Sequence, residues 1–241
     1  ISGGTPNYQT NWTGPNAFVA STQNISGLEG GNYTLTITDA NGCVDVQNYV
    51  VDEPLPISFT PTISDVNCFG ASTGSIVVVV SGGNGGYIYD WRDAGNVQIS
   101  TTNTIINVPA GDYTLTVSDA LGCVNSETYT INEISEITVN GLLTPITCFN
   151  AADGAIEINP AGGTPIYNYA WTGPNLFNST NQNISGLEAG TYNLTITDQN
   201  SCTKDSIIVL ANPPEITVVE TITDITCFGD MNGAINIVIN G

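Results

Sequence analysis

The 241-residue chain carries 22 Asp or Glu residues against two basic ones, Arg92 and Lys204, and no His, for a formal net charge of −20. Two cations cannot supply the Lys/Arg footprint of a nucleic-acid binder or of a polybasic anchor on anionic lipid. Without imidazole, Ser-His-Asp and Cys-His nucleophile systems are excluded, while carboxylate chemistry and calcium binding survive. Only 10% of residues are charged and 41% are hydrophobic, so this is not a charge-driven disordered chain. No apolar run approaches the roughly 18 residues of a membrane span.

In chain order, Ile1-Ser2-Gly3-Gly4 reads as the end of a strand, so the chain is expected to be an excerpt from something longer. Asp39-Ala40-Asn41-Gly42 ends in Asn-Gly, a strong hairpin signal with its register open. Ser75-Ile76-Val77-Val78-Val79-Val80 is a continuous β-branched run, as expected of a buried strand, and Tyr87-Ile88-Tyr89-Asp90-Trp91 is an aromatic strand. Tyr113-Thr114-Leu115-Thr116-Val117-Ser118 alternates with period two into a turn at Asp119-Ala120-Leu121-Gly122. Ala234-Ile235-Asn236-Ile237-Val238-Ile239 alternates apolar and polar before ending in an apolar pair. No helical periodicity occurs, and about seven strands per unit predict an all-β sandwich.

An internal repeat organises these elements. Gly3-Gly4-Thr5-Pro6-Asn7-Tyr8 recurs as Gly82-Gly83-Asn84-Gly85-Gly86-Tyr87 and as Gly162-Gly163-Thr164-Pro165-Ile166-Tyr167. Trp12, Trp91 and Trp171 follow at matching offsets, and the cysteines recur as Cys43/Cys123/Cys202 and Cys68/Cys148/Cys227, with a period of 79 or 80 residues. That length is too long for a solenoid coil and suits a sandwich domain. Pro54-Leu55-Pro56, Glu133-Ile134-Ser135-Glu136 and Pro213-Pro214-Glu215 read as equivalent joints. They define a partial repeat over 1–55, whole repeats over 56–135 and 136–214, and a first-two-strand portion over 215–241. A rival frame breaks at the Gly-Gly runs.

Gly-x-Tyr-x-Leu, with Tyr33, Tyr113 and Tyr192 at the strand start, resembles the tyrosine corner of immunoglobulin folds. Leu35, Leu115 and Leu194 then occupy the place of the second cysteine of those domains, and Trp12, Trp91 and Trp171 become core tryptophans. The alternative for the Trp residues is an exposed ladder for sugar stacking. Phe18 and Phe177 lie in the turn after the Trp strand, where exposed rings would serve the same purpose, although the second repeat has no equivalent.

Six cysteines in an acidic β array fit an oxidising, extracytoplasmic setting. Sequence-adjacent pairing (Cys43–Cys68, Cys123–Cys148, Cys202–Cys227) uses all six at a constant gap of 25 residues and is the leading expectation. Pairing within the Pro frame (Cys68–Cys123, Cys148–Cys202) spans opposite ends of a sandwich. A third option staples neighbouring repeats, as in Cys68–Cys202. Clustered Cys or His for zinc is missing.

Asp39 with Asn41, Asp119, and Asp198 with Asn200 recur at one hairpin tip and are the candidate calcium ligands, weighed against ordinary turn chemistry. No cofactor is otherwise expected. Asp52 with Glu53, Glu133 with Glu136, and Glu215 recur near the joints, but no acid pair is distinctive enough for a glycosidase. Asn-x-Ser/Thr at Asn11, Asn24, Asn32, Asn178, Asn183 and Asn193 reflects an Asn/Thr-rich composition, and Asp205-Ser206-Ile207 is a single match to a bacterial O-glycosylation motif.

The combination Cys-Phe-Gly…Gly-x-Ile, Gly-Gly-Thr-Pro-x-Tyr…Trp and Ala-Gly-x-Tyr-x-Leu-Thr-x-x-Asp…Cys resembles the SprB repeat family, named for a giant gliding-motility adhesin of gliding Bacteroidota. Asn84-Gly85-Gly86 in place of Thr-Pro, Asn150 after Cys148-Phe149 and Ser201 before Cys202 are local departures. The resemblance implies export by the type IX secretion system, outer-surface display, motion along the cell, and no catalytic residues. The expected function is therefore a non-enzymatic structural and adhesive array, an extended rod within a filament whose charge keeps it soluble. Its expected partners are external surfaces or polysaccharide, and gliding and secretion machinery through other regions, with lateral self-association open. The alternatives are polysaccharide-binding modules or accessory repeats of a secreted enzyme.

Overall fold

The structure, a computed structural model, describes residues 2–241; Ile1, read above as part of a strand end, lies outside them. The described residues form twenty strands. The first four are β1 (Gln9–Thr13), β2 (Val19–Ala20), β3 (Gly31–Thr38) and β4 (Val44–Val51). Next come β5 (Ser58–Ser64), β6 (Gly74–Ser81), β7 (Ile88–Asp93), β8 (Gln98–Ser100), β9 (Thr104–Val108), β10 (Gly111–Ser118) and β11 (Val124–Ile131). The same series returns as β12 (Thr138–Thr144), β13 (Gly154–Ala161), β14 (Asn168–Thr172), β15 (Asn178–Ser179), β16 (Ile184–Leu187), β17 (Gly190–Thr197) and β18 (Thr203–Leu210). β19 (Thr217–Thr223) and β20 (Ala234–Asn240) close the chain.

Alternating apolar residues give each strand one face to bury, and two sheets bury those faces against each other. β5-β6-β9 packs on β11-β10-β7-β8 around Ile76, Val78, Trp91, Leu115 and Val117. β12-β13-β16 and β15-β14-β17-β18 enclose Ile156, Ile158, Trp171, Leu194 and Ile196 in the same way. Every named ladder is antiparallel. Both are immunoglobulin-like β-sandwiches. Residues 9–51 form one four-stranded sheet, β2-β1-β3-β4, and β19 pairs with β20, so these two parts each correspond to one layer of the sandwich.

The tryptophans and tyrosines seed each core. Trp12, Trp91 and Trp171 lie directly opposite Leu35, Leu115 and Leu194 on the neighbouring strand, and all six are buried. Each indole N–H donates to a backbone carbonyl, of Thr22, Thr102 and Asn181 respectively. Tyr33, Tyr113 and Tyr192 donate their hydroxyls to the carbonyls of Glu29, Pro109 and Glu188, four residues upstream, at 3.0, 2.9 and 3.0 Å. Burying large rings while satisfying their polar tips avoids the cost of an unpaired donor.

Two local expectations change. The β-branched run of β6 is not buried on both faces: Ile76 and Val78 face the core while Val77 and Val79 are exposed, because no layer covers the outer side of that sheet. Asn41-Gly42 is not a two-residue hairpin turn. The strands leave register at Thr38 and Val44, and a five-residue loop over 39–43 closes through Asp39 N–H to Cys43 O, with only Gly42 among them at positive φ (81°). The Asp39 carboxylate organises this loop by accepting the N–H groups of Asn41 and Cys43.

Candidate functional site at the joint between repeats

The joint is assembled from three segments whose backbones meet at close range. Val66 in the loop after β5 forms a parallel bridge with Glu133, and Val66 N–H donates to Asn132 O at 2.9 Å. Gly70 N–H donates to the Glu133 carboxylate at 2.7 Å. The chain then passes under the β13–β14 connection, where Gly163 N–H donates to Ser135 O at 2.8 Å. A Cβ on Gly162 would stand 2.0 Å from Glu136 O, and Gly162 has φ +80°. Only glycine fits there, on both counts. The same contact recurs at the preceding joint, where a Cβ on Gly82 would stand 2.0 Å from Pro56 O.

The hairpin tip over 198–202 completes the joint. Asp198 Oδ1 accepts the N–H groups of Asn200 and Cys202, both at 2.9 Å, and Oδ2 accepts Thr164 N–H at 2.8 Å. Asn200 Nδ2 donates to Asn67 O across the joint at 3.4 Å. This geometry holds Cys202 against Cys68, and the two form a disulfide with Cα atoms 5.5 Å apart. Cys202 is buried in the core of its own sandwich, and Cys68 packs against that same core. Beside the bond lies a cleft of about 330 Å³ that includes Phe69, Ile134, Gly163 and the Lys204–Glu136 ion pair at 2.6 Å. That exposed pair contributes about 0–1 kcal/mol.

The leading expectation for the cysteines is therefore corrected: none of Cys43–Cys68, Cys123–Cys148 and Cys202–Cys227 forms, and Cys43, Cys123, Cys148 and Cys227 are free and exposed. The reason is strand direction. Cys202 precedes β18, which carries the chain away from the joint, and β19 follows before Cys227 is reached. The eight-residue β18 and the seven-residue β19, which pair in different sheets, lie between these two cysteines, and Cys202 is already bonded to Cys68. Pairing within the Pro frame fails because Cys68 and Cys123 sit at opposite ends of one sandwich. Cys123 follows the turn at Asp119, next to the Gly83 that holds Leu55.

The calcium candidates spend their oxygens on the fold. Asp119 is buried; Oδ1 accepts from Leu121 and Cys123 N–H, and Oδ2 from Asn84 N–H and Nδ2, all between 2.9 and 3.0 Å. Burial alone would raise its pKa, but the donors of Asn84, Cys123 and Leu121 outweigh that and hold its carboxyl far below the usual range. Thr5 and Cys43 N–H likewise lower Asp39, whose Oδ2 accepts Thr5 N–H at 3.0 Å. Asn41 and Asn200 turn their amides to the hydroxyls of Thr5 and Thr164. Each of the three aspartates thus ties its tip to the Gly-Gly connection. Among the described residues no three His, Cys, Asp or Glu side chains group as a metal site.

Phe18 and Phe177 are half-buried and make T-shaped contacts with Tyr33 and Tyr192, with ring centroids 5.5 Å apart. Gly14 and Gly173 lie flat on the same tyrosine rings, where a Cβ would fall within 2.5 and 2.6 Å of ring carbon. Sequence reasoning missed the role of Gly82 and Gly162 at the joints; the Gly-Gly repetition was the available signal, and it read equally well as a turn or a domain break.

The SprB repeat family model matches residues 60–96 and 142–176. No curated protein matches the chain. Among solved structures, a three-Ig-domain structure of titin is similar over 86% of this chain and 89% of its own, at 12% identity and a TM-score of 0.37. The N-terminal eight Ig domains of Down Syndrome Cell Adhesion Molecule are similar over 84% of this chain and 32% of their own, at 13% identity and a TM-score of 0.42. Among the described residues no helix is long and apolar enough to cross a membrane.

Proposed function

We propose that these SprB repeats form a load-bearing segment of a large cell-surface filament, a stiff non-catalytic array that carries adhesive contacts outward during gliding. The observation that carries this reading is the Cys68–Cys202 bond, which ties one sandwich covalently to the next across a joint already clamped by Gly162, Glu133 and Glu136. A joint held at several points resists bending, and a covalent tie resists separation under tension. In this reading the repeats run over 56–135 and 136–214, with 1–55 and 215–241 as portions of flanking repeats, and the two enclosed cores support that frame. Type IX export, display at the outer surface, and external surfaces or polysaccharide as partners belong to the same proposal. The net charge of −20 favours a soluble, self-repelling filament.

Small-angle X-ray scattering of the oxidised chain tests the mechanical part. An elongated particle, with each sandwich adding ~35–40 Å along one axis, is the expected result. A compact particle would overturn it. Adhesive gliding is tested by coating beads with the chain's antibody and following them on cells of the source bacterium; beads that never move along the surface would overturn that part.

A further inference from the structure

The six cysteines fall into two structural types, and every member of a type has the same local geometry. Cys68, Cys148 and Cys227 follow the first strand of their repeat, and their carbonyls accept N–H from Ala71, Ala151 and Asp230 at 3.1, 3.0 and 3.0 Å. Cys43, Cys123 and Cys202 end the hairpin tip, and their N–H groups donate to Asp39, Asp119 and Asp198 at 2.8, 2.9 and 2.9 Å. The one bond present joins the first type in one repeat to the second type in the next. The 241 residues contain a single such combination, which accounts for one bond and four free, exposed thiols.

We propose that this is a rule of the array: the first-type cysteine of each repeat is disulfide-bonded to the second-type cysteine of the following repeat. Cys148 and Cys227 are then the forward halves, and Cys43 and Cys123 the backward halves, of staples to neighbouring repeats. In vitro, a second copy of this chain docked head to tail stands in for those neighbouring repeats and presents the matching halves. The β19–β20 hairpin exposes Ile235 and Ile237 at 72% and 57%, whereas their counterparts Ile156 and Ile158 are 0% and 3% exposed beneath an opposing sheet. In that dimer the β2-β1-β3-β4 sheet of the second copy takes the place of the opposing layer that the following strands of a repeat supply, since residues 215–241 and 1–55 together make about one repeat of 79–80 residues. In that arrangement Cys148 meets Cys43 of the second copy, and Cys227 meets its Cys123.

The bonds form by exchange with glutathione disulfide. One cysteine thiolate displaces a glutathione thiolate, and the partner thiolate displaces the second glutathione. The two electrons and two protons of each new bond end on two glutathione thiols. The test is to incubate the native chain in a glutathione redox buffer and map the bridges by mass spectrometry without reduction. The expected result is a ladder of covalent oligomers containing Cys68–Cys202, Cys43–Cys148 and Cys123–Cys227. Cys148→Ser should leave Cys43 as a free thiol while Cys123–Cys227 persists. Four thiols still free after oxidation, sequence-adjacent pairs, like-with-like pairs such as Cys148–Cys148, or migration of Cys43 to another partner in Cys148→Ser would each overturn the rule.

Discussion

Cys68 and Cys202 lie 134 residues apart in the chain and 5.5 Å apart at Cα, bonded across the boundary between two separately cored sandwiches. The bond closes a loop that contains most of both sandwiches, so its loss releases an unfolded chain with far more freedom. Cys68→Ser combined with Cys202→Ser should lower stability by about 2–5 kcal/mol. Denaturant titration should then show the two sandwiches unfolding separately, where the oxidised chain unfolds in a coupled transition.

Gly162 is the tightest point of the joint. Gly162→Ala adds a methyl 2.0 Å from Glu136 O at a φ of +80°. The left-handed conformation alone costs about 1–2 kcal/mol for a residue with a Cβ, and the backbone clash adds to it. The expected outcome is a lower thermal midpoint, together with increased hydrogen exchange at Gly163 N–H, which now donates to Ser135 O.

Ser201 occupies the place held by Gly42 and Gly122 at the other hairpin tips, and it carries φ +67° where they carry +81° and +84°. Ser201→Gly should therefore stabilise the chain by about 1 kcal/mol. A calorimetric scan showing no upward shift would contradict this, and the disulfide should be unaffected.

Asp39 and Asp119 have depressed pKa values in the folded chain. Their contribution to stability is complete above the ordinary carboxylate pKa of about 4 and is lost as pH falls below it toward the depressed folded values. Unfolding midpoints should be flat, as far as these groups are concerned, from neutral pH to about 4 and then drop. Asp119→Asn should be less stable at pH 7 and show a shallower acid decline. Because the aspartate oxygens already accept backbone N–H groups, millimolar calcium should leave the midpoint unchanged.

Burial of the tyrosine ring and capping of its hydroxyl are separable. Tyr192→Phe removes only the hydrogen bond to Glu188 O and should cost about 0.5–1.5 kcal/mol. Ile156→Ala empties a fully buried site and should cost about 2–5 kcal/mol. The two effects are read from the same denaturant titration.

The 79- or 80-residue period, the β class and the tyrosine corner were legible in the chain alone. They depend on local patterns: a side chain every second residue facing one way, a large ring at a fixed place, glycine where a left-handed turn is needed. The core roles of Trp91 and Tyr113 came from the resemblance of Gly-x-Tyr-x-Leu to the immunoglobulin tyrosine corner, and both rings are buried. What the sequence left open were the contacts between segments far apart in the chain. Six equally spaced cysteines admit several pairings, and the constant 25-residue gap favoured the wrong one for Cys68 and Cys202. Spacing reports how much chain lies between two residues, whereas a disulfide requires that their loops end on the same side of the same joint. That depends on the direction in which β5 and β18 cross their sandwiches and on the backbone of Glu136 passing under Gly162. Only the packed tertiary structure brings those ends together.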